Sequence, residues 1–99
     1  MGKLVRDKIP MLIENSGEKP IVRVLDEKEY HSHLESKLDE EVAEFYADRN
    51  TEELADILEV VYALAESIGS SKEELLACYE KKHMERGGFR ERIFLEGKE

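Results

Sequence analysis

Residues 34–68 read LESKLDEEVAEFYADRNTEELADILEVVYALAESI, and this stretch decides the fold. Each helical residue turns about 100°, so with Leu34 at zero Leu38, Val42 and Phe45 fall on one apolar stripe about 80° wide. Beyond Arg49-Asn50 the same period resumes, with Leu54, Ile57, Leu58, Val61, Leu64, Ala65 and Ile68 on a second stripe. Two amphipathic helices joined by a tight connection at residues 48–51 form an antiparallel hairpin. Glu41 lies between Leu38 and Phe45 on the first stripe, and Glu44 lies on its shoulder. Glu53 aligns with Val60 and Leu64 on the second helix, with Asp56 beside it. Antiparallel packing therefore predicts that Glu41 and Glu44 meet Glu53 and Asp56.

The rest of the chain extends this hairpin in both directions. Asp26 with Glu29 has capping-box spacing and opens a helix over residues 27–49; Thr51 is expected to cap a helix over 52–68 that Gly69 stops. Ser71 with Glu74 starts a further helix running to about Arg86, ended by Gly87-Gly88. A short helix over residues 8–15, capped by Asp7, precedes them, with Pro10 in its first turn and Gly17 after it. The β-branched run Ile21, Val22, Val24 and Leu25 predicts one short strand, and Arg92-Ile93-Phe94-Leu95 is its one comparable partner. The expected fold is a mainly all-α, hairpin-based four-helix bundle with a small β-pairing between the N- and C-terminal segments.

The 99 residues suit a single domain, with hydrophobic residues at 40% allowing a thin core beneath a surface enriched in charge, 39% of the chain. A formal net charge of −9 excludes a generic basic footprint for nucleic acid or an anionic membrane. No apolar run approaches the roughly 20 residues of a membrane span, and the N-terminus turns charged too early for a secretory signal. Together with a single cysteine, Cys78, this predicts a cytoplasmic protein. His31, His33 and His83 lack zinc-ligand spacing and read as surface residues, while Cys78 reads as a packed free thiol.

Any one acidic pair at i, i+3 spacing is more often a solvated face than a site. Two such pairs on consecutive helices, one within an apolar stripe, are different: ionised carboxylates gathered out of water repel each other and require a compensating cation. Oxygen-only ligands select a hard ion, Mg²⁺ with Mn²⁺ as substitute, which keeps waters and bridges phosphate oxygens.

Glu40-Glu41-Val42-Ala43-Glu44 followed by Glu53-Leu54-Ala55-Asp56 resembles the EExxE and ExxD signature of the all-α nucleoside triphosphate pyrophosphohydrolases, which include MazG-like and phosphoribosyl-ATP pyrophosphohydrolase-like proteins. The opening Lys3-Leu4-Val5-Arg6-Asp7-Lys8-Ile9-Pro10 and the closing Arg86-Gly87-Gly88-Phe89 resemble a short MazG-like branch, so the similarity covers nearly the whole chain. It implies that Glu41, Glu44, Glu53 and Asp56 are Mg²⁺ ligands, and that Glu40 is an additional acid able to order or deprotonate water. The implied reaction converts a nucleoside triphosphate to the monophosphate and pyrophosphate, with clearance of noncanonical nucleotides as a role and phosphoribosyl-ATP as an alternative substrate. Homodimers or homotetramers that build the nucleotide site across subunits are implied as well. Eight residues separate Glu44 from Glu53, fewer than in many relatives, which shortens a region that elsewhere serves base recognition.

A water aimed at the α-phosphorus needs a proton acceptor, and Glu40 and Glu41 are equally open candidates. Phosphate oxygens need cations beyond the metal, for which Lys82 and Arg86 on the last helix are proposed, followed by Arg6 and Lys8. Tyr46, Tyr62 and Tyr79 read first as core aromatics rather than base-stacking groups. The rival expectation is a non-catalytic acidic helical oligomer that binds a protein partner.

Overall fold

The computed structural model describes residues 2–99. Four helices follow in order: α1 at Ile9–Asn15, α2 at Glu27–Asp48, α3 at Thr51–Ser67 and α4 at Lys72–Arg86. Their ends obey local chemistry. At the start of α2 the Asp26 carboxylate accepts from the Glu29 N–H at 2.8 Å while the Glu29 carboxylate accepts from the Asp26 N–H, a complete capping box. In α4 the Ser71 hydroxyl accepts from the Glu74 N–H at 3.1 Å, and Glu74 turns its carboxylate to the Ser70 hydroxyl instead of closing the box. Gly69, at φ +87°, ends α3 as a Schellman motif: its N–H donates to Glu66 O, and the Ser70 N–H donates to Ala65 O.

Two caps differ from expectation by one residue each. Asn50, not Thr51, accepts from the Glu53 N–H at 2.9 Å, and Thr51 becomes the first helical residue. Lys8 rather than Asp7 precedes α1, with no side-chain cap, so Pro10 supplies the preformed φ of the first turn. Only Arg49 and Asn50 lie between α2 and α3. Arg49 reverses the chain in the left-handed region at φ 39°, its N–H donating to Phe45 O at 2.7 Å.

The α2–α3 hairpin is the organising contact, with α4 leaning on α3. The all-α expectation of four helices built on this hairpin holds, whereas the expected β-pairing of the N- and C-terminal segments does not form. Among the described residues there is no strand. Ile21 is 98% exposed, Val24 95% and Phe94 85%. Strand propensity expresses packing on a covered sheet face, and neither segment has such a cover. The C-terminal segment is also broken locally: Arg92 takes φ +56° and its N–H donates back to Phe89 O, a turn where an extended residue was expected.

The radius of gyration, 17.7 Å, exceeds the roughly 13 Å of a compact chain this size, and the molecule measures 62 × 32 × 21 Å. Among the described residues the buried apolar set is Leu34, Val60 and Ala65, all on the hairpin. Leu54 and Leu58, the expected centre of the α3 stripe, remain about half exposed, while Val60 is buried. The buried side of α3 thus reaches from the expected stripe, where Ala65 is buried, round to Val60 on the side that carries Glu53 and Asp56. No described helix is long and apolar enough to cross a membrane.

Candidate metal centre

The two-residue reversal sets the register of the hairpin and brings the acidic residues of its two helices together. One carboxylate oxygen from each of Glu41, Glu53 and Asp56 lies within 4.8 Å of the others, and the same holds for Glu40, Glu41 and Glu44. Glu41 belongs to both groups. It is also the buried acidic residue among those described, 7% exposed, because its place on the Leu34–Leu38–Phe45 side of α2 points it into the seam. Glu53 and Asp56 are half-buried on the opposing helix, and Glu44 sits at the exposed margin.

A buried carboxylate needs partners for its lone pairs, and here the supply falls short. Glu41 Oε1 faces the Lys37 ammonium at 3.5 Å, one turn back on α2. Lys37, itself only 17% exposed at its side chain, also holds Glu40 at 3.3 Å. Glu41 Oε2 and Glu53 Oε2 are shielded from solvent and have no hydrogen-bond partner. The electrostatics agree with this geometry. Desolvation, then repulsion from Glu44, pushes the Glu41 carboxyl above its usual range against the pull of Lys37. Glu53 is likewise raised, by desolvation and by the neighbouring Asp56, Asp48 and Glu41 charges, against a smaller lowering effect of the adjacent Glu44 side chain.

These residues fit a divalent cation on chemical grounds: two partnerless carboxylate oxygens, an excess of negative charge that one lysine cannot balance, and a donor set made of oxygen alone. Lys37 was not anticipated, although its i+3 and i+4 relation to Glu40 and Glu41 is visible in the sequence.

Beside the cluster lies an open cleft of about 680 Å³ between the hairpin and the N-terminal segment. Its lining includes Glu41 and Asp56 of the cluster with Lys37, and the apolar Leu34 and Val60 with Tyr30. Arg6 and Lys8 line it from the N-terminal side. Arg6 reaches across 50 positions to α3, its Nη1 donating to Asp56 Oδ1 at 3.1 Å and its Nη2 to Glu59 Oε1 at 3.2 Å. Glu59 was not anticipated, since a contact this distant in sequence leaves no local signal. Lys82 and Arg86 stand elsewhere, exposed on α4 and outside the lining of this cleft. Of the sequence-predicted residues, the fold therefore links Glu40, Glu41, Glu44, Glu53 and Asp56 through Glu41, sets Arg6 on Asp56 and Lys8 in the lining of the adjoining cleft, and leaves Lys82 and Arg86 apart within one chain. His31 is less solvated than expected, its Nδ1 3.1 Å from the Ser67 hydroxyl and its Nε2 3.1 Å from Glu35.

No protein-family model matches the chain, and no solved structure does. Among curated proteins, one described as uncharacterized from Mycolicibacterium smegmatis is 55% identical over 47 residues. The aligned part is 48% of this chain and 48% of that protein, so the chain spans about half the length of the relative it matches.

Proposed function

We propose that this chain is a Mg²⁺-dependent, MazG-like nucleotide pyrophosphohydrolase that cleaves the α–β phosphoanhydride of a nucleoside triphosphate, giving the monophosphate and pyrophosphate. The observation that carries the reading is the pair of solvent-shielded, partnerless oxygens on Glu41 and Glu53, at the centre of carboxylates contributed by both arms of the hairpin. Solvated acidic faces have no need of such an arrangement. The EExxE and ExxD similarity supplies the reaction class, and clearance of noncanonical nucleotides is the role that goes with it.

Glu41, Glu44, Glu53 and Asp56 would hold Mg²⁺ or Mn²⁺, which when bound supplies charge neutralisation for phosphate oxygens and a more acidic water. The chain's own contributions are distinct. Lys37 keeps the Glu40 and Glu41 carboxylates in place through contacts of 3.3 and 3.5 Å. Glu40, partly exposed at the edge of the cluster, can accept a proton from water, a role that a carboxylate committed to metal cannot fill as well. Lys8 offers a cation at the rim of the cleft for phosphate oxygens, and Lys82 and Arg86 can do so only from a second copy of the chain. Homo-oligomers, dimers or tetramers, are part of this proposal, since one chain leaves Leu54, Leu58, Ile68 and Tyr79 uncovered.

Phosphoribosyl-ATP is the alternative substrate of the same chemistry. A second reading, a non-catalytic acidic helical oligomer that binds a protein partner, draws on the exposed Ile21, Val24, Phe89 and Phe94. A panel of nucleoside triphosphates and phosphoribosyl-ATP, incubated with Mg²⁺ and scored by ³¹P NMR, separates them. Pyrophosphate as first product is expected; orthophosphate as first product contradicts α–β cleavage, and no turnover across the panel favours the binding module.

A further inference from the structure

The segment preceding α1 is tied to the hairpin through one side chain. Among the described residues, the two Arg6 bonds, to Asp56 and to Glu59, are the only side-chain hydrogen bonds that connect residues 2–8 to another part of the chain. The remaining hold is apolar, with Leu4, Val5 and Ile9 facing Leu34 and Val60 across the cleft. Asp56 therefore has two claims on it. It is one of three residues whose oxygens converge within 4.8 Å, and it is the anchor of the N-terminal segment.

We propose that Arg6 is an internal counter-cation for Asp56, so that a divalent ion at the acidic cluster and the N-terminal segment compete for one carboxylate, and occupancy by the ion loosens the wall of the cleft formed by residues 4–9. The inference rests on the metal-centre reading above and deepens it by giving that site a means of regulating access. The distribution of positive charge supports it. Lys37 serves Glu40 and Glu41 from within α2, and Arg6 serves Asp56 and Glu59 from outside the hairpin, so the charge of the acidic seam is offset in part, from two sides, by the chain itself. Lys37 is anchored by its own helix and stays when an ion enters. Arg6 is carried on a segment with no regular structure and can leave. Both partners of the Arg6–Asp56 pair are substantially solvated, 59% and 40% exposed at their side chains, so the pair is weak enough to yield. A solvated pair of this kind is worth at most about a fivefold change in an equilibrium, which bounds the competition. On this view Arg6 is a positioning residue. It acts on the cluster through Asp56 and need not touch substrate, unlike the phosphate-binding role expected from sequence.

The test is a titration of the full chain with Mn²⁺ alone, followed by electron paramagnetic resonance, together with amide hydrogen exchange over residues 4–12. Arg6→Gln should bind Mn²⁺ about two- to fivefold more tightly than the wild type, with Arg6→Lys between the two because it keeps the charge but not the two-pronged geometry. In the wild type, Mn²⁺ should speed exchange over residues 4–12; in Arg6→Gln exchange there should be fast before metal is added and unchanged after it. Unaltered or weaker Mn²⁺ binding by Arg6→Gln, or wild-type exchange that ignores Mn²⁺, overturns the competition. If Glu41→Gln abolishes Mn²⁺ binding in the same series, that failure leaves the metal-centre reading standing. Absence of Mn²⁺ binding in the wild type, or binding that survives Glu41→Gln, overturns both.

Discussion

Replacing Glu41 by glutamine removes one charge from the seam with almost no change in shape, and the structure assigns that charge a definite cost. A buried polar group without a partner costs about 1–3 kcal/mol, and Glu41 Oε2 has none. Lys37 offsets part of that cost through Oε1, and when Glu41 is neutralised Lys37 keeps Glu40 at 3.3 Å. The metal-free Glu41→Gln protein should thus be more stable than the wild type at neutral pH, by about 1 kcal/mol, or roughly 4–8 °C in Tm for a domain of this size. The sign of the pH dependence follows. Glu41 and Glu53 have carboxyl pKa values raised by folding, so their contribution is fully present below the ordinary carboxylate range and is lost as pH rises through the raised values. The metal-free wild type should lose stability on this account from acid toward neutral pH, and Glu41→Gln should lose less. Mg²⁺ reverses the ranking: at ten times its dissociation constant, linkage adds about 1.4 kcal/mol, or roughly 6–11 °C, to the wild type and little to the variant. Thermal denaturation by circular dichroism, with EDTA and then with millimolar Mg²⁺, reads both effects. A Glu41→Gln protein that is less stable than wild type in EDTA, or that retains the full Mg²⁺ shift, refutes the reasoning.

Three further perturbations probe separate parts of the account. Lys37→Met leaves Glu41 without its one cation and should destabilise the metal-free protein by about 1–3 kcal/mol, with Glu41→Gln in the same chain restoring most of the loss; urea unfolding of the double-mutant cycle measures it. The Arg23 guanidinium, at 2.9 Å, holds the Glu29 carboxyl down at about 2, so this exposed pair stabilises above the ordinary carboxylate range and loses its effect as pH falls toward that value. Arg23→Gln should move the Glu29 titration, followed by carboxyl ¹³C shifts, upward toward its ordinary value, while the Asp26 N–H of the capping box keeps it below that value. Asn50→Ala removes the α3 cap and should cost about 1 kcal/mol in urea unfolding, whereas Thr51→Ala should cost distinctly less.

What was legible in the sequence was what neighbouring residues decide among themselves. The Asp26/Glu29 box, the Ser71 cap and the Gly69 stop are satisfied within a few residues and occur where the pattern places them. At Asn50-Thr51 two competent caps stand side by side, and the pattern cannot rank them; the helix begins one residue earlier because Asn50 takes the role. Glu41 could be found because an acid inside an apolar stripe breaks the helical period. The burial of Val60 in place of Leu54 could not, since the two are equally apolar and only the tertiary packing buries one and exposes the other. The same holds for Arg6, whose partners lie 50 and 53 positions away, and for Lys82 and Arg86, whose placement depends on how α4 leans on α3. The strand expectation at Ile21 and Phe94 rested on propensity, which has no effect without a covering face.

The central claim, that the hairpin seam gathers its carboxylates around a divalent ion, is tested most directly by equilibrium Mn²⁺ binding to the wild type and to Glu53→Gln, whose partnerless Oε2 has no reason to be buried otherwise. Saturable binding in the wild type that weakens at least tenfold in Glu53→Gln is the predicted result. Equal binding by the two proteins, or none by either up to millimolar Mn²⁺, would contradict it.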